Sequence, residues 1–242
     1  AAERARDAKA RFLSVLAHEV RSPLSAITGL AEILKRQLHG PLEPDQVTDM
    51  NLILQAGKDI DRLIDDVLRY SRAEAGTEPS QNEPIALAAV LARVDAVMRT
   101  RWDEAGLQYS RQGNADNCFV RADAMQLQQI LLNLLSNAGK FTPRGGTVAL
   151  RCAAEDDAGM VRIEVHDNGR GIPPSQLEEV FQPFVQIGSH PESQRGAGLG
   201  LAISRQFALG MGGTLHADSE LGVGSTFVLR LPAAEPPEAA QV

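Results

Sequence analysis

Aromatic side chains are scarce in this chain of 242 residues: they make up 4%, with one Trp, two Tyr and seven Phe. Any core it forms is therefore largely aliphatic. Cysteine is almost absent. Cys118 and Cys152 form no close-spaced pair, which excludes a disulfide or thiolate-metal framework and suits a reducing, cytoplasmic compartment. The five histidines show no ligand spacing, so no structural zinc is expected. No run approaches about 18 apolar residues, so no segment is expected to span a membrane, and no signal peptide is evident. Basic charge is in deficit: the net charge of −7 argues against a nucleic-acid footprint. A starting Met is also missing, and AAERARDAKARF already reads as helix, as in a piece of a longer protein.

What is present is 43% apolar residues, enough for one large domain or two small ones. Residues 1–39 predict one long helix, stopped at His39-Gly40-Pro41. Leu13, Val20, Ile27 and Leu34 recur every seven residues, with Leu16 and Leu30 between them. If that seam is buried, His18 faces solvent with Glu19 beside it. Pro23 has no N–H for the Glu19 carbonyl, so a bend is expected there. For a lone histidine the plainer alternative, a surface residue on a coiled-coil helix, is the better bet. A second helix over about 45–75, with Asp45 as N-cap, repeats the pattern at Ile53, Ile60 and Val67. Two such helices make an antiparallel hairpin with too little interior to stand alone, so a dimeric four-helix bundle is expected.

AEAGTEPSQNEP (73–84) is a linker by composition. Beyond it, helices are expected at 86–101 (after a short strand), 122–140 and 199–209. Two short strands are expected around a turn at Gly113-Asn114, and others at 147–153, 160–167, 214–218 and 225–231. The tail from 233 reads as disordered. Helices and strands mix without regular alternation, which favours α+β, with helices on one face of a mostly antiparallel sheet. The expected division is 1–76 and 77–242.

Three segments of the second domain carry chemistry. In NLLSNAGKFT, Asn133 and Asn137 share one helix face, with Lys140 near the same edge. Amide oxygens suit a hard cation such as Mg²⁺ and the ammonium suits a phosphate. A polar face turned to solvent accounts for the spacing equally well. In VRIEVHDNGRGI, strand alternation puts Asp167 at the end of the row Val161, Ile163, Val165. A buried carboxylate needs a donor, such as an exocyclic amine of a purine. Gly169 and Gly171 after it allow close approach; an Asn-Gly turn would explain the glycines but not the aspartate. In RGAGLGL, Arg195, Gly196, Gly198, Gly200 and Leu201 open a helix, where main-chain N–H groups and the helix dipole favour an anion. Between the last two lies VQIGSHPESQ (185–194), long enough for a mobile lid, with Phe181 and Phe184 expected to anchor its base.

Taken together, from Phe12 to about Pro232, the chain resembles the transmitter core of sensor histidine kinases of two-component systems. FLSVLAHEVRSPL resembles the family's phosphoacceptor motif and NLLSNAGKFT its asparagine motif. HDNGRGI and GAGLGLAIS resemble its glycine motifs, and VFQPF its phenylalanine motif. The resemblance implies a dimerisation and phosphoacceptor hairpin followed by a Bergerat-type α/β sandwich that binds ATP. It implies that His18 is phosphorylated, with Glu19 as general base. Asn137 would hold Mg²⁺, and Asn133 would contact the phosphates or metal. Lys140 would contact phosphate, Phe141 would pack on adenine and Asp167 would bond its amino group. Gly169 and Gly171 would shape the pocket, and Arg195, Gly196, Gly198, Gly200 and Leu201 would line the phosphate side and lid hinge. The partners implied are a second copy and a response-regulator receiver domain. The expected location of this region is the cytoplasm, whether or not the full-length protein is membrane-attached. Three positions depart from the family pattern: Ala17 for a usual serine, Ser22 for Thr or Asn, and Gly139 for a larger residue. Two other classes compete, an ATPase of the same nucleotide-binding fold and an inactive kinase-like dimeric scaffold.

Overall fold

The computed structural model describes residues 2–37, 40–75, 80–114, 118–155, 159–187 and 198–236, with side chains from Leu13 onward. The chain divides into two compact units, Ala1–Thr77 and Glu78–Val242.

The first unit is a helical hairpin of α1 (Ala2–Lys35) and α2 (Pro44–Ala75). The helix assignment runs through Pro23 without interruption. At the start of α2, Asp45 lies inside the first turn and is not the N-cap. Pro44 takes the first helical position, where its missing N–H costs nothing. The Glu43 N–H donates to Gln46 Oε1 at 2.9 Å, the return half of a capping box. The seven-spaced residues are not the inner seam of the hairpin. Leu16, Val20, Ile27, Leu30 and Leu34 of α1 are exposed, as are Ile53 and Ile60 of α2. The buried residues are small: Ala17, Ala31, Gly57 and Ser71. A Cβ at Gly57 would press on the Thr28 methyl and touch Leu24, so the two helices meet there almost backbone to backbone. Arg21 spans the hairpin to Asp61 (2.9 Å) and Asp65 (2.6 Å). All three are well exposed, so the pairs add little stability.

The second unit layers α3 (Leu87–Ala105), α4 (Ala124–Phe141) and α5 (Gly200–Gly210) on a five-stranded sheet of order β2-β4-β5-β7-β6. The strands are β2 Gln108–Gly113, β4 Thr147–Glu155, β5 Met160–Asp167, β6 Thr214–Glu220 and β7 Gly224–Pro232. Among the described residues, β2–β4 is the one parallel pair of this sheet. The two strand candidates around Gly113-Asn114 do not pair with each other. The first is β2, and the second, β3 (Phe119–Ala122), pairs antiparallel with β1 (Glu83–Ala86) in a separate ladder. Part of the tail is held: Ala233 N–H donates to Gly159 O and Ala234 N–H to Phe119 O, while residues 237–242 lie outside the described residues.

The core is aliphatic. Leu127, Ile130, Leu131, Leu134 and Leu135 on one face of α4 are all fully buried, each contributing about 1.5–3 kcal/mol. Facing them on β5 are Val161, Ile163 and Val165, while Arg162, Glu164 and His166 lie half-buried on the other face. α4 starts sharply because the Asp123 carboxylate accepts from the N–H groups of Met125 and Gln126. α3 closes on Gly106 in a Schellman turn, with Leu107 N–H reaching Trp102 O at 3.0 Å. Gly139 abuts this helix. A Cβ there would come within 2.8 Å of Trp102 Cζ3, so the missing side chain makes room for the indole, which stacks on Tyr109 at 5.4 Å. The neighbour of Gly139 is thus α3.

Candidate functional site

In the first unit, His18, Glu19 and Ser22 are all exposed on α1. His18 and Glu19 are adjacent on the helix, one turn before Pro23.

In the second unit, the end of α4, the loop after β5 and the start of α5 converge. Asp167 closes β5 at 3% exposure, opposite Ser225 of β7 in the sheet register. Its Oδ1 accepts the Gly169 N–H at 2.8 Å. Burial pushes its carboxyl up from the ordinary 3.8, and main-chain hydrogen bonds from Gly169 and Ser225 and the nearby His166 pull part of the way back. A side chain at Gly169 would come within 3.0 Å of the Phe141 carbonyl carbon. Gly171 has a left-handed φ of +70° and lies hard against the Glu220 carbonyl. Behind the aspartate, the Ser219 hydroxyl accepts the Ile172 N–H (2.8 Å), donates to Gly224 O (2.7 Å) and meets Ser225 Oγ at 3.0 Å. Neither serine carries a local signal in the sequence; Ser225 comes opposite Asp167 only through the pairing of β7 with β5.

On α4, Asn133 and Asn137 share a face, as their spacing requires. Asn133 Nδ2 donates to Ser204 Oγ of α5 at 3.0 Å, and its amide lies against Gly200. Asn133 thus fixes the first turn of α5. Asn137 is half-buried, and among the described residues nothing hydrogen-bonds to its amide. Half-buried Phe141 ends α4, with the Lys140 ammonium 5.0 Å and the Arg170 guanidinium 4.5 Å from its ring centre. Two cationic groups thus flank this ring.

Arg195 and Gly196 lie outside the described residues, as do 188–194 of the expected lid. Gly198, with φ +68°, accepts the Phe184 N–H at 3.0 Å on its carbonyl, closing the chain on either side of that segment. Of the two expected anchors, Phe181 is buried edge-on against Phe227. The Phe184 ring is 63% exposed, and this residue contributes through its main chain at a left-handed φ of 66°. Gly200 and half-buried Leu201 form the first turn of α5.

Two family models match the chain. Residues 8–76 match the His Kinase A (phospho-acceptor) domain, and residues 122–235 match the histidine kinase-, DNA gyrase B-, and HSP90-like ATPase. The histidine protein kinase DivJ of Caulobacter vibrioides is 38% identical over 93% of the chain, which spans 37% of that protein's length. A mycobacterial sensor histidine kinase, MprB, has a solved structure that is 31% identical, with a TM-score of 0.54 over 64% of this chain and 99% of that one. The structure of full-length ShkA in complex with AMPPNP is 32% identical, with a TM-score of 0.78 over 93% of this chain and 46% of that one.

Proposed function

This chain belongs to the sensor histidine kinases, carrying their phospho-acceptor and ATPase domains in series, and we propose that it transfers the γ-phosphoryl group of ATP to His18. The phosphoryl group then passes to an aspartate on the receiver domain of a response regulator. The observation that carries this is one chain bearing both an exposed His18–Glu19 pair on a phospho-acceptor hairpin and a buried carboxylate, Asp167, in an ATPase domain. Residues 1–76 are the acceptor and dimerisation part, and residues 77–242 the ATP-binding part. The exposed row Val20, Ile27, Leu30 and Leu34 with Ile53 and Ile60 is the face covered by a second copy in a four-helix bundle.

In the second unit, adenine packs on Phe141 and its amino group donates to Asp167, adding a donor to those that Gly169 and Ser225 already give the buried carboxylate. Lys140 meets the phosphates, and Gly198, Gly200 and Leu201, with Arg195 and Gly196, line the phosphate side. Asn137, whose amide is uncommitted among the described residues, holds Mg²⁺. No cluster of three or more His, Cys, Asp or Glu is present among the described residues. That donor set fits a cation coordinated mainly by water and phosphate oxygens, as Mg²⁺ is. When bound, the ion supplies charge neutralisation on the phosphate oxygens. Asn133 holds α5 in place through Ser204.

His18 Nε2 attacks the γ-phosphorus in line, and the bond from that phosphorus to the β,γ-bridging oxygen breaks as ADP leaves. The Nδ1 proton is shared with and then taken by Glu19, so that Nε2 attacks as a neutral nitrogen and the product is uncharged at the ring.

The test is labelling with γ-labelled ATP. Acid-labile label on the protein is expected, lost in His18→Ala while ADP binding is kept. Label that survives His18→Ala, or phosphate release with no labelled protein, would favour the ATPase alternative. Nucleotide binding with neither label nor phosphate release would favour the inactive scaffold.

A further inference from the structure

Arg170 is a residue of DNGRGI to which the proposed chemistry gives no task, and it is held at four points. Its N–H donates to the Phe141 carbonyl at 3.3 Å, and its own carbonyl accepts the Gly222 N–H at 2.7 Å. The backbone is thereby pinned between the end of α4 and the turn joining β6 to β7. Its guanidinium carbon lies 4.5 Å from the Phe141 ring centre, and Nη2 donates to the Ile187 carbonyl at 2.6 Å. One side chain therefore ties the ring at the end of α4 to the main chain that follows Phe184 and Val185.

The chemistry of that tie is particular to arginine. A planar guanidinium can lie over an aromatic face and donate from its edge at the same time. The Lys140 ammonium, 5.0 Å from the same ring, is a point charge on a flexible stem and cannot fix a plane. Arg170 is half-buried, so both of its interactions are less screened than on an open surface.

We propose that Arg170 is a positioning residue for the nucleotide base: it locks the plane of Phe141 and its separation from the Ile187 main chain, so that the base enters a seat already oriented. This role rests on the adenine seat proposed above. A ring held in place before binding loses less freedom when the ligand arrives, which is read as affinity. The γ-phosphoryl end is untouched, so the effect belongs in KM and not in kcat.

The test uses the full chain with Arg170→Ala, Arg170→Lys, Phe141→Leu and the Phe141→Leu/Arg170→Ala double variant. ADP affinity is measured by calorimetric titration, and KM for ATP and kcat by His18 labelling. Arg170→Ala is expected to weaken ADP and raise KM about tenfold, from the cation–π contact and the charged hydrogen bond together. Its kcat should stay within about twofold. Arg170→Lys should recover part of the loss, and the double variant should bind no more weakly than Phe141→Leu alone. If Arg170→Ala fails to fold, Arg170→Gln takes its place. Wild-type affinity in Arg170→Ala, a loss in kcat instead of KM, or penalties that add in full in the double variant would each overturn the role. ADP binding unaffected by Phe141→Leu would overturn the adenine seat itself, and the role of Arg170 with it.

Discussion

Asn133 of α4 and Ser204 of α5, 71 positions apart in the sequence, are joined by a 3.0 Å hydrogen bond. Ser204 is 1% exposed, and Gly200, one turn earlier on α5, lies against the same amide. The two helices are thus registered by an amide that fits against a position without a side chain.

That contact sets different outcomes for neighbouring substitutions. Ser204→Ala removes one partner and leaves the half-buried Asn133 amide without its acceptor, costing about 1 kcal/mol of stability. Gly200→Ala forces Asn133 and the first turn of α5 apart. It is expected to weaken ADP binding more than Ser204→Ala does, because it moves the proposed phosphate side of the site. Denaturant unfolding and nucleotide titration on the two variants check this.

Gly139→Ala gives a test of sign. Helix propensity alone favours alanine by up to about 1 kcal/mol. The clash with Trp102 opposes it, and overpacking of this kind costs about 1–3 kcal/mol. Net destabilisation is expected, and it should shrink when Trp102 is also replaced by Leu. Chemical denaturation of the single and double variants decides between the two terms.

Asp167 gives a pH dependence. Burial raises its folded-state pKa above the ordinary 3.8, so ionisation opposes folding. Whatever stability the neutral acid contributes is complete below that value and is lost as pH rises through the raised one. Asp167→Asn has no such loss. Its thermal midpoint relative to wild type should climb from about pH 4 upward and then level off. The same variant should lose nucleotide affinity. A midpoint difference that falls with pH would mean that the Gly169 and Ser225 hydrogen bonds outweigh burial.

Ile27→Glu places a charge on the exposed apolar row of α1, where Ile27 is 54% exposed. In a hairpin that stays monomeric this is nearly neutral, within about 0.5 kcal/mol. In a dimeric bundle it buries an unpaired carboxylate. Light scattering on the variant should show monomers, with ADP binding of the second unit unchanged. A dimer as tight as wild type would move the interface elsewhere.

Much of the second unit was legible in the sequence because its signals are local. Alternation at Val161, Ile163 and Val165 places β5 at 160–167, the span that the structure gives, and the apolar stripe of α4 is equally plain. What escaped depends on partners distant in sequence. Nothing near Gln108 says that β2 runs parallel to β4. Ser225 matters because it is opposite Asp167. Gly139 departs from the family pattern for a reason that only Trp102, packed beside it, supplies. In the hairpin, heptad spacing found the large apolar residues, most of which are exposed, with Leu13 and Val67 half-buried. The inner contact is made by Ala17, Thr28, Ala31 and Gly57, which carry too little apolar surface to register as a pattern. Asp45 looked like a cap because it is a good one, but Pro44 had already begun the helix.

The near-contact of Gly57 with Thr28 also sets the girth of the hairpin. The gap between α1 and α2 fixes how far apart Ile27 and Ile53 ride on its outer surface, and in the proposed four-helix bundle a second copy would have to match that width. A side chain at 57 would widen the gap without touching the outer residues, spoiling a fit between molecules by altering the inside of one. Gly57 works as a gauge for a joint in which it has no part.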